Sequence, residues 1–346
     1  MKSKHPKRAL RATAGALAAA ATVATTFVAT AIVAVPATAH AQTPAAAGFP
    51  QRPMRLILSV PPGGAADFTG RVVAAKMGEL AGQSVVVESR PGAGGIVASE
   101  FVTKATPDGH TLMLSSSTTH GAAPVLYKKL PYDAITSFTH ISGVSLLPAM
   151  MAINADVPAK TVKEFIAVTR AAPGKYMFSS SGNGSAPQLF GEAFKIRTGA
   201  NLTHVPYKGS GPAVVDLATG QVHMMMDGLP SLINQIKSGR LRALAALADK
   251  RFAVFPDVPT IAEAGFPGLE DGVWYGISAP AGVPAPIVDV LAKLTARTIT
   301  SPDVVERFLT VGGIPLVIGP KEYVAFIQGY NKRWGEIVRA ASVVPD

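Results

Sequence analysis

The chain contains no cysteine in its 346 residues. This absence excludes disulfide bridges, thiolate zinc sites, iron–sulfur clusters and cysteine nucleophiles. Charged residues are scarce, at 16%, whereas apolar residues make up 48%, which excludes a disordered chain and predicts a sizeable buried core. A length of 346 residues suggests about two domains.

Common catalytic and nucleotide-binding motifs are also missing. The sequence has no G-x-S-x-G elbow, no P-loop and no G-x-G-x-x-G run. No two of the five histidines beyond residue 41 are three or four positions apart, so the paired ligands of a helical zinc site are absent. We therefore predict no catalytic residue, no metal and no cofactor.

The N-terminus has the pattern of an export signal. Five basic residues and no acidic ones occupy the first 11 positions, and a run rich in Ala, Val and Thr follows from Ala12 to Val35. Ala39-His40-Ala41 then precedes Gln42 and provides an A-x-A cleavage site. We predict a signal peptide over residues 1–41, cleaved near Ala41/Gln42. The alternative is a membrane anchor, which the scarcity of Leu, Ile and Phe in the run disfavours.

Removal of this segment changes the charge of the protein. It leaves 27 of the 32 basic residues against all 22 acidic ones, so the net charge falls from +10 to +5. The remaining basic residues are dispersed along the chain rather than clustered, which excludes a nucleic-acid partner. We expect an exported, soluble and mildly basic protein.

Beyond a flexible lead-in at 42–50, strands and helices alternate. The apolar run 55–60 predicts a strand that stops at Pro61-Pro62-Gly63-Gly64, and helical spacing of Val72, Val73 and Met77 follows. The same order begins again after residue 150, which indicates two α/β units with mainly parallel sheets. Because no linker separates them, we predict that lobe 2 (146–272) is inserted into lobe 1 (51–145 plus 273–346).

Three loops rich in Gly, Ser or both connect a strand to a helix. They are 61–67, 115–119 and 179–185. Unpaired N–H groups and the positive end of the dipole at a helix N-terminus bind anions, and glycine allows close approach. Each loop is also compatible with an ordinary turn capped by Ser or Asp. Their joint position at the carboxyl ends of parallel strands favours a ligand site.

A series of short motifs runs in order through nearly the whole chain beyond residue 41. They are Pro53-Met54-Arg55-Leu56-Ile57, Pro61-Pro62-Gly63-Gly64, Arg90-Pro91-Gly92-Ala93-Gly94-Gly95, Pro107-Asp108-Gly109-His110, Ser179-Ser180-Ser181-Gly182-Asn183-Gly184-Ser185, His204-Val205-Pro206-Tyr207-Lys208-Gly209 and Gly220-Gln221-Val222. In this order the sequence resembles the substrate-binding receptors of tripartite tricarboxylate transporters, the Bug family.

The resemblance implies a fold and a function. The implied fold is α/β, two-lobed and periplasmic-binding-protein-like, of the type II or Venus flytrap kind with mainly parallel central sheets. The implied function is capture of a small organic carboxylate in the interdomain cleft and its delivery to the membrane subunits of a tripartite tricarboxylate transporter. Such a receptor is periplasmic and is not an enzyme, and we expect a monomer.

The resemblance also assigns residues to the cleft. Gly63, Gly64 and Asp67 would hold one carboxylate together with Ser180, Ser181, Gly182 and Asn183, partly through backbone amides and water. The cleft would also be lined by Ser117, Thr118, Pro206, Tyr207 and Asp227. Ala65-Ala66 and Gln188 depart from the family pattern and suggest fewer side-chain donors.

Several alternatives remain open from the sequence. Phe68 is either a stacking surface for an aromatic acid or part of the core. A hydrolase that uses Asp67 or Asp227 and a ligand sensor for a membrane partner are rival functions. We expect the lobes to close by hinge motion near 145–153 and 272–279, and the sequence leaves the identity of the carboxylate open.

Overall fold

Ten strands and ten α-helices span residues 48–341, the part of the chain that the computed structural model describes. The predicted signal peptide 1–41 and residues 42–47 of the lead-in lie outside this part. The strands are β1 (Met54–Leu58), β2 (Val85–Ser89), β3 (Thr111–Ser116), β4 (Phe138–Asn154), β5 (Met177–Ser180), β6 (Thr203–Pro206), β7 (Met224–Gly228), β8 (Leu241–Leu247), β9 (Gly272–Pro280) and β10 (Ile314–Pro315).

The helices pack on both sides of these strands. They are α1 (Ala65–Ala81), α2 (Ile96–Thr103), α3 (Ala123–Leu126), α4 (Val162–Ala171), α5 (Ala186–Thr198), α6 (Ser210–Ala218), α7 (Leu229–Lys237), α8 (Ala285–Thr300), α9 (Pro302–Leu309) and α10 (Pro320–Ala341). A short 3₁₀ helix (Ala93–Gly95) and a π-helix (Ser117–Ala122) complete the set. Over the described residues, no helix is both long enough and apolar enough to cross a bilayer.

Parallel strands form two groups, as the alternating pattern predicts. In the first group β1 lies between β2 and β3, and in the second β5 lies between β6 and β7, with all four pairings parallel. Leu56 and Leu58 of β1 are fully buried, and α1 covers them with Val73 and Met77. Apolar residues at helical spacing thus build the first layer of the core.

Strand β4 joins the two groups. Its first part pairs antiparallel with β9, from Phe138 opposite Pro280 to Pro148 opposite Gly272. From Ala149 onwards it lies between β7 and β8, again antiparallel to both. The predicted hinge strands near 145–153 and 272–279 are thus parts of β4 and β9. The antiparallel direction and the extension of β4 back to Phe138 were not expected from the sequence.

Aromatic side chains of the last helix hold α10 against β9. The Trp274 ring of β9 makes edge-to-face contacts with Tyr323, Phe326 and Tyr330 of α10, with centroids 5.9, 5.3 and 5.4 Å apart. Trp274 and Tyr323 are both fully buried. Such pairs add about 0.5–1.5 kcal/mol each beyond the burial of their area, so the C-terminal helix is an integral part of the core.

Where β4 pairs with β9 at Pro148 and Gly272, there is no room for a side chain at Gly272. A Cβ atom there would lie 2.5 Å from the Leu147 carbonyl oxygen and 2.7 Å from Pro148 Cα. We expect Gly272→Ala to lower the free energy of unfolding in urea by about 1–3 kcal/mol, as overpacking does. The matched variant Gly329→Ala, in α10 with no atom within 4 Å, should instead stabilise by about 0.5–1 kcal/mol. Equal losses in both variants would contradict this account of the crossing.

Candidate functional site

The carboxyl ends of β1, β3, β5 and β7 meet at a small enclosed cavity, called here the cleft cavity. Its volume is about 30 Å³, and both parallel groups contribute to its walls. The side walls include the N-termini of α1, the π-helix, α5 and α6, and β9 supplies Val273 and Tyr275. The lining residues are Ser59, Val60, Pro61, Gly64, Ala65, Ala66, Leu114, Ser116, Ser117, Thr118, Ser181, Pro187, Ser210, Asp227, Val273 and Tyr275.

The glycine loop before α1 is held in place by its own aspartate. Gly63 has φ +100°, a conformation that favours glycine, and its N–H donates to Asp67 Oδ2 at 3.1 Å. The other oxygen of Asp67 accepts from Arg71 Nε at 2.8 Å. Asp67 therefore closes the loop, and Arg71, one turn inside α1 with its side chain 58% exposed, is not among the residues that line the cavity.

The loop after β3 is a π-helix rather than an ordinary turn. Ser116 caps it by accepting from the Thr119 N–H at 3.2 Å, and the Thr119 hydroxyl accepts from the Ser116 N–H in return. Ser117 and Thr118 then reach the cavity. His120 lies behind them, and burial together with the charge of His140 holds its pKa well below the ordinary value. The His120 ring is therefore neutral and places no positive charge beside the hydroxyl groups of Ser117 and Thr118.

On the opposite wall, buried polar side chains shape the loop before α5. The Ser180 hydroxyl donates to Gly182 O at 3.1 Å and lies 2.7 Å from His204 Nε2. Gln188 Oε1 accepts from Gly184 N at 2.8 Å. Burial, with a smaller effect of the nearby Lys195, lowers the pKa of His204 to about 4. These contacts keep Ser181 directed at the cavity while Ser180 and Gln188 stay in the loop.

Two hydrogen bonds join the opposite walls at helix N-termini. The Ala65 N–H of α1 donates to Ser231 Oγ of α7 at 3.1 Å. The Ala186 N–H of α5 donates to Thr118 Oγ1 of the π-helix at 3.2 Å. Both donors are first-turn amides that no helical carbonyl can satisfy. Ala65 also lines the cavity, and both amides currently donate to neutral hydroxyl groups.

Asp227 is the only Asp or Glu among the residues that line the cleft cavity, and no Lys, Arg or His lines it. Asp227 is 2% exposed, and its Oδ1 accepts from Gly228 N at 2.7 Å. Burial raises its pKa, against the opposite effect of Ser210, Gly228 and Ser231. An anion in this cavity would therefore be held by amides and hydroxyl groups, with a buried carboxyl group beside it.

The cavity brings together some of the residues that the family resemblance assigned. Five of them line it: Gly64, Ser117, Thr118, Ser181 and Asp227. The other seven do not line it: Gly63, Asp67, Ser180, Gly182, Asn183, Pro206 and Tyr207. Besides the contacts of Gly63, Asp67, Ser180 and Gly182 described above, Tyr207 donates its hydroxyl to Asp216 at 2.7 Å and the Asn183 carbonyl accepts from Tyr127.

Other lining residues were not found from the sequence. Val273 and Tyr275 belong to a crossover strand that carries no binding motif, and Ser210 follows a glycine in an ordinary helix start. Of the two alternatives for Phe68, the contacts support the core, because its ring lies 6.4 Å from that of Phe308 and is packed on the buried cluster. A hydrolase that uses Asp67 as a base has no support, because its carboxylate is engaged with Gly63 and Arg71.

Two α/β halves joined by crossover strands, with a largely enclosed cavity of mixed polar and apolar lining at the strand ends, are typical of a solute-binding protein. The comparisons with known proteins identify the family. The tripartite tricarboxylate transporter family receptor matches residues 69–343, and this chain belongs to that family. This is a family of receptors and not of enzymes, as the motifs implied.

Relatives and solved structures agree along most of the chain. BugT from Bordetella pertussis is 37% identical over 314 residues, which covers 90% of this chain and 94% of BugT. The structure of the periplasmic binding protein BugD is 33% identical with a TM-score of 0.82 and covers 86% of this chain and 100% of its own. MatC from Rhodopseudomonas palustris with bound malate is 32% identical with a TM-score of 0.80, and covers 84% of this chain and 100% of its own. The two-lobed periplasmic-binding-protein fold is thereby confirmed.

Proposed function

We propose that this protein is a periplasmic receptor that captures a small organic carboxylate in the cleft cavity and delivers it to the membrane subunits of a tripartite tricarboxylate transporter. The main support is the cavity wall, where helix N-termini and hydroxyl groups converge and no Lys, Arg or His is present. Membership of the receptor family and the malate bound to MatC support the same ligand class. The receptor would act as a monomer.

The amide donors at the helix N-termini would bind the anion. Charge-assisted hydrogen bonds are roughly twice as strong as neutral ones, so a carboxylate oxygen would replace the hydroxyl acceptors Ser231 and Thr118 at the Ala65 and Ala186 amides. The Gly63 amide is already bonded to Asp67. We therefore assign the anion contacts of this loop to Gly64, Ala65 and Ala66 rather than to Gly63.

Ligand entry requires the two lobes to separate. A cavity of about 30 Å³ has room for about two water molecules, which is less than any dicarboxylate needs. We propose that lobe 1 (51–145 plus 273–346) and lobe 2 (146–272) move about the segments 145–153 and 272–279. These segments of β4 and β9 connect the sheets, and a small rotation there would part the Ala65–Ser231 and Ala186–Thr118 contacts.

Export completes the proposal. The structure of the periplasmic relative BugD covers 86% of this chain, and the sequence carries the A-x-A site at Ala39-His40-Ala41. We propose cleavage after Ala41. A periplasmic product that begins at Gln42 in mass spectrometry would support this, and an intact Met1 in the membrane fraction would overturn it.

A ligand screen tests the function. Exported protein, stripped of ligand by unfolding and refolding, should show a higher melting temperature with one or more mono-, di- or tricarboxylates. Ligand at about 100 times Kd stabilises the native state by roughly 2.7 kcal/mol, which shifts Tm by several degrees in a chain of this size. With the best ligand, small-angle scattering should give a monomer mass and a smaller radius of gyration. Turnover of the ligand, or no response to any carboxylate, would contradict the proposal.

Gly64 tests the amide contacts. A Cβ atom at Gly64 would lie 3.3 Å from Ser210 Cβ on the opposite wall, so Gly64→Val should weaken binding more than about 30-fold in calorimetry, the loss of about 2 kcal/mol or more. Arg71→Ala should change Kd less than about threefold, because a half-exposed pair contributes little. Gly329→Val, in open space on α10, is the matched control. A large loss in Arg71→Ala with binding retained in Gly64→Val would favour a guanidinium salt bridge instead.

Asp227 tests the electrostatics. Its ionised form repels an anion and its protonated form does not, so wild-type affinity should rise as pH falls through the raised pKa of Asp227 and weaken as pH rises through it. Asp227→Asn should bind severalfold tighter at pH 7 and lose this pH dependence, in titrations of a ligand that stays ionised throughout. The control is Asp289→Asn on the exposed face of α8. A strong loss of binding in Asp227→Asn would show that the ligand offers Asp227 a cationic or hydroxyl group.

A further inference from the structure

A second cavity lies between α5 and α10, away from the cleft. This α5–α10 cavity has a volume of about 140 Å³ and is defined by Phe190, Ala193, Met226, Leu247, Leu269 and Trp334. None of its lining residues belongs to the cleft cavity. It is therefore a separate space, whose occupant need not be the transported ligand.

The inner wall of the α5–α10 cavity is apolar and aromatic. The rings of Phe190 and Trp334 lie 5.7 Å apart at an angle of 47°, and each residue is 2% exposed. Met226 and Leu247 from neighbouring strands are also buried. An apolar cavity of about 150 Å³ stays dry and binds benzene, so the α5–α10 cavity has the size and surface for a single aromatic ring.

Positive charge stands at the edge of the cavity. Arg333 Nη2 is 3.0 Å from Asp271 Oδ2, which neutralises that pair. Arg197 also lines the cavity, and its Nη2 donates to the Pro267 carbonyl at 2.8 Å. Among residues 48–341, no carboxylate forms an ion pair with Arg197. The guanidinium group of Arg197 therefore lies beside an apolar cavity without a carboxylate partner among the described residues.

The edge of the cavity connects to open solvent. A wider groove of about 900 Å³ shares Leu247, Gly268, Asp271 and Arg333 with the α5–α10 cavity. Arg197 is exposed, and Ile196 beside it is 47% exposed. A small molecule thus has a route to the apolar wall that passes the arginine side chains.

We infer that the α5–α10 cavity is a second ligand site, which takes a small aromatic carboxylate with its ring packed against Phe190 and Trp334 and its carboxylate at Arg197. The ring satisfies the apolar wall by removing its surface from water. The carboxylate provides the anion that Arg197 otherwise lacks, in a charge-assisted contact that neutral aromatic molecules do not offer. This site is separate from the one proposed for transport.

Benzoate is the probe, and benzamide is its neutral match. The exported protein in the Gly64→Val background, in which we expect the cleft to be blocked, should bind benzoate in calorimetry at least tenfold more tightly than benzamide. Arg197→Gln should remove this preference while a weak affinity for both probes remains. Acetate, which lacks the ring, should not bind at millimolar concentration.

Cavity-filling variants locate the binding. Ala193→Phe, and Leu269→Phe as a second variant with a smaller change in volume, should each weaken benzoate binding at least tenfold, with folding checked by circular dichroism. In a protein that retains Gly64, neither variant should change the affinity for the carboxylate identified in the ligand screen. The inference is overturned if benzoate does not bind the Gly64→Val protein, or binds both filled variants equally well. Equal binding of benzamide and benzoate would overturn the role of Arg197.

Discussion

The structure depends on one strand that takes part in two sheets. Strand β4 pairs with β9 up to Pro148 and with β7 and β8 from Ala149, and the Ala149 N–H donates to the Asp271 carbonyl where the partners change. Because the hydrogen-bond ladder continues through this point, the two parallel groups are held with their strand ends facing each other. The cleft cavity is a consequence of this shared strand, since neither parallel group alone encloses the cavity.

The recognition proposed for the cleft relies on backbone dipoles rather than on charged side chains. The cavity is lined by the N-termini of α1 and the π-helix, by serine and threonine hydroxyls, and by one buried acid, Asp227. Side chains that look functional in the sequence are used internally: Asp67 closes the glycine loop, and His204 supports Ser180. Backbone N–H groups at helix N-termini bind anions without a charged side chain, because the donors belong to the fold itself.

Helix α10 connects regions that lie far apart in the chain. Tyr330 packs against the π-helix, where a Cβ at Gly121 would lie 2.6 Å from its ring, and Trp334 forms a wall of the α5–α10 cavity one turn later. The two rings are themselves 5.9 Å apart. A ligand packed against Phe190 and Trp334 would therefore contact the same helix that packs against the π-helix. Adjacent turns of α10 therefore connect the wall of the α5–α10 cavity to the π-helix beside the cleft cavity.

The sequence by itself determined the family, the alternation of strands and helices, and the loops that carry the helix N-termini. These features are local: Pro61-Pro62-Gly63-Gly64 must end a strand, and the spacing of Val72, Val73 and Met77 must form a helical face, whatever else the chain does. The length and direction of β4 could not be predicted, because nearly all its residues are buried and the two-residue alternation of a half-exposed strand is lost.

Only the tertiary structure decided which loop residues reach the cavity. Asp67 and Tyr207 belong to the motifs of the binding loops, but Asp67 bonds to Gly63 and Tyr207 to Asp216, whereas Val273 and Tyr275 reach the cavity from a strand without any motif. The ion pair that leaves Arg197 without a carboxylate likewise joins Arg333 to Asp271, residues 62 positions apart in the sequence. Side-chain direction depends on partners that are distant along the chain, so a local pattern predicts the loop and leaves the identity of its contacting atoms to the folded chain.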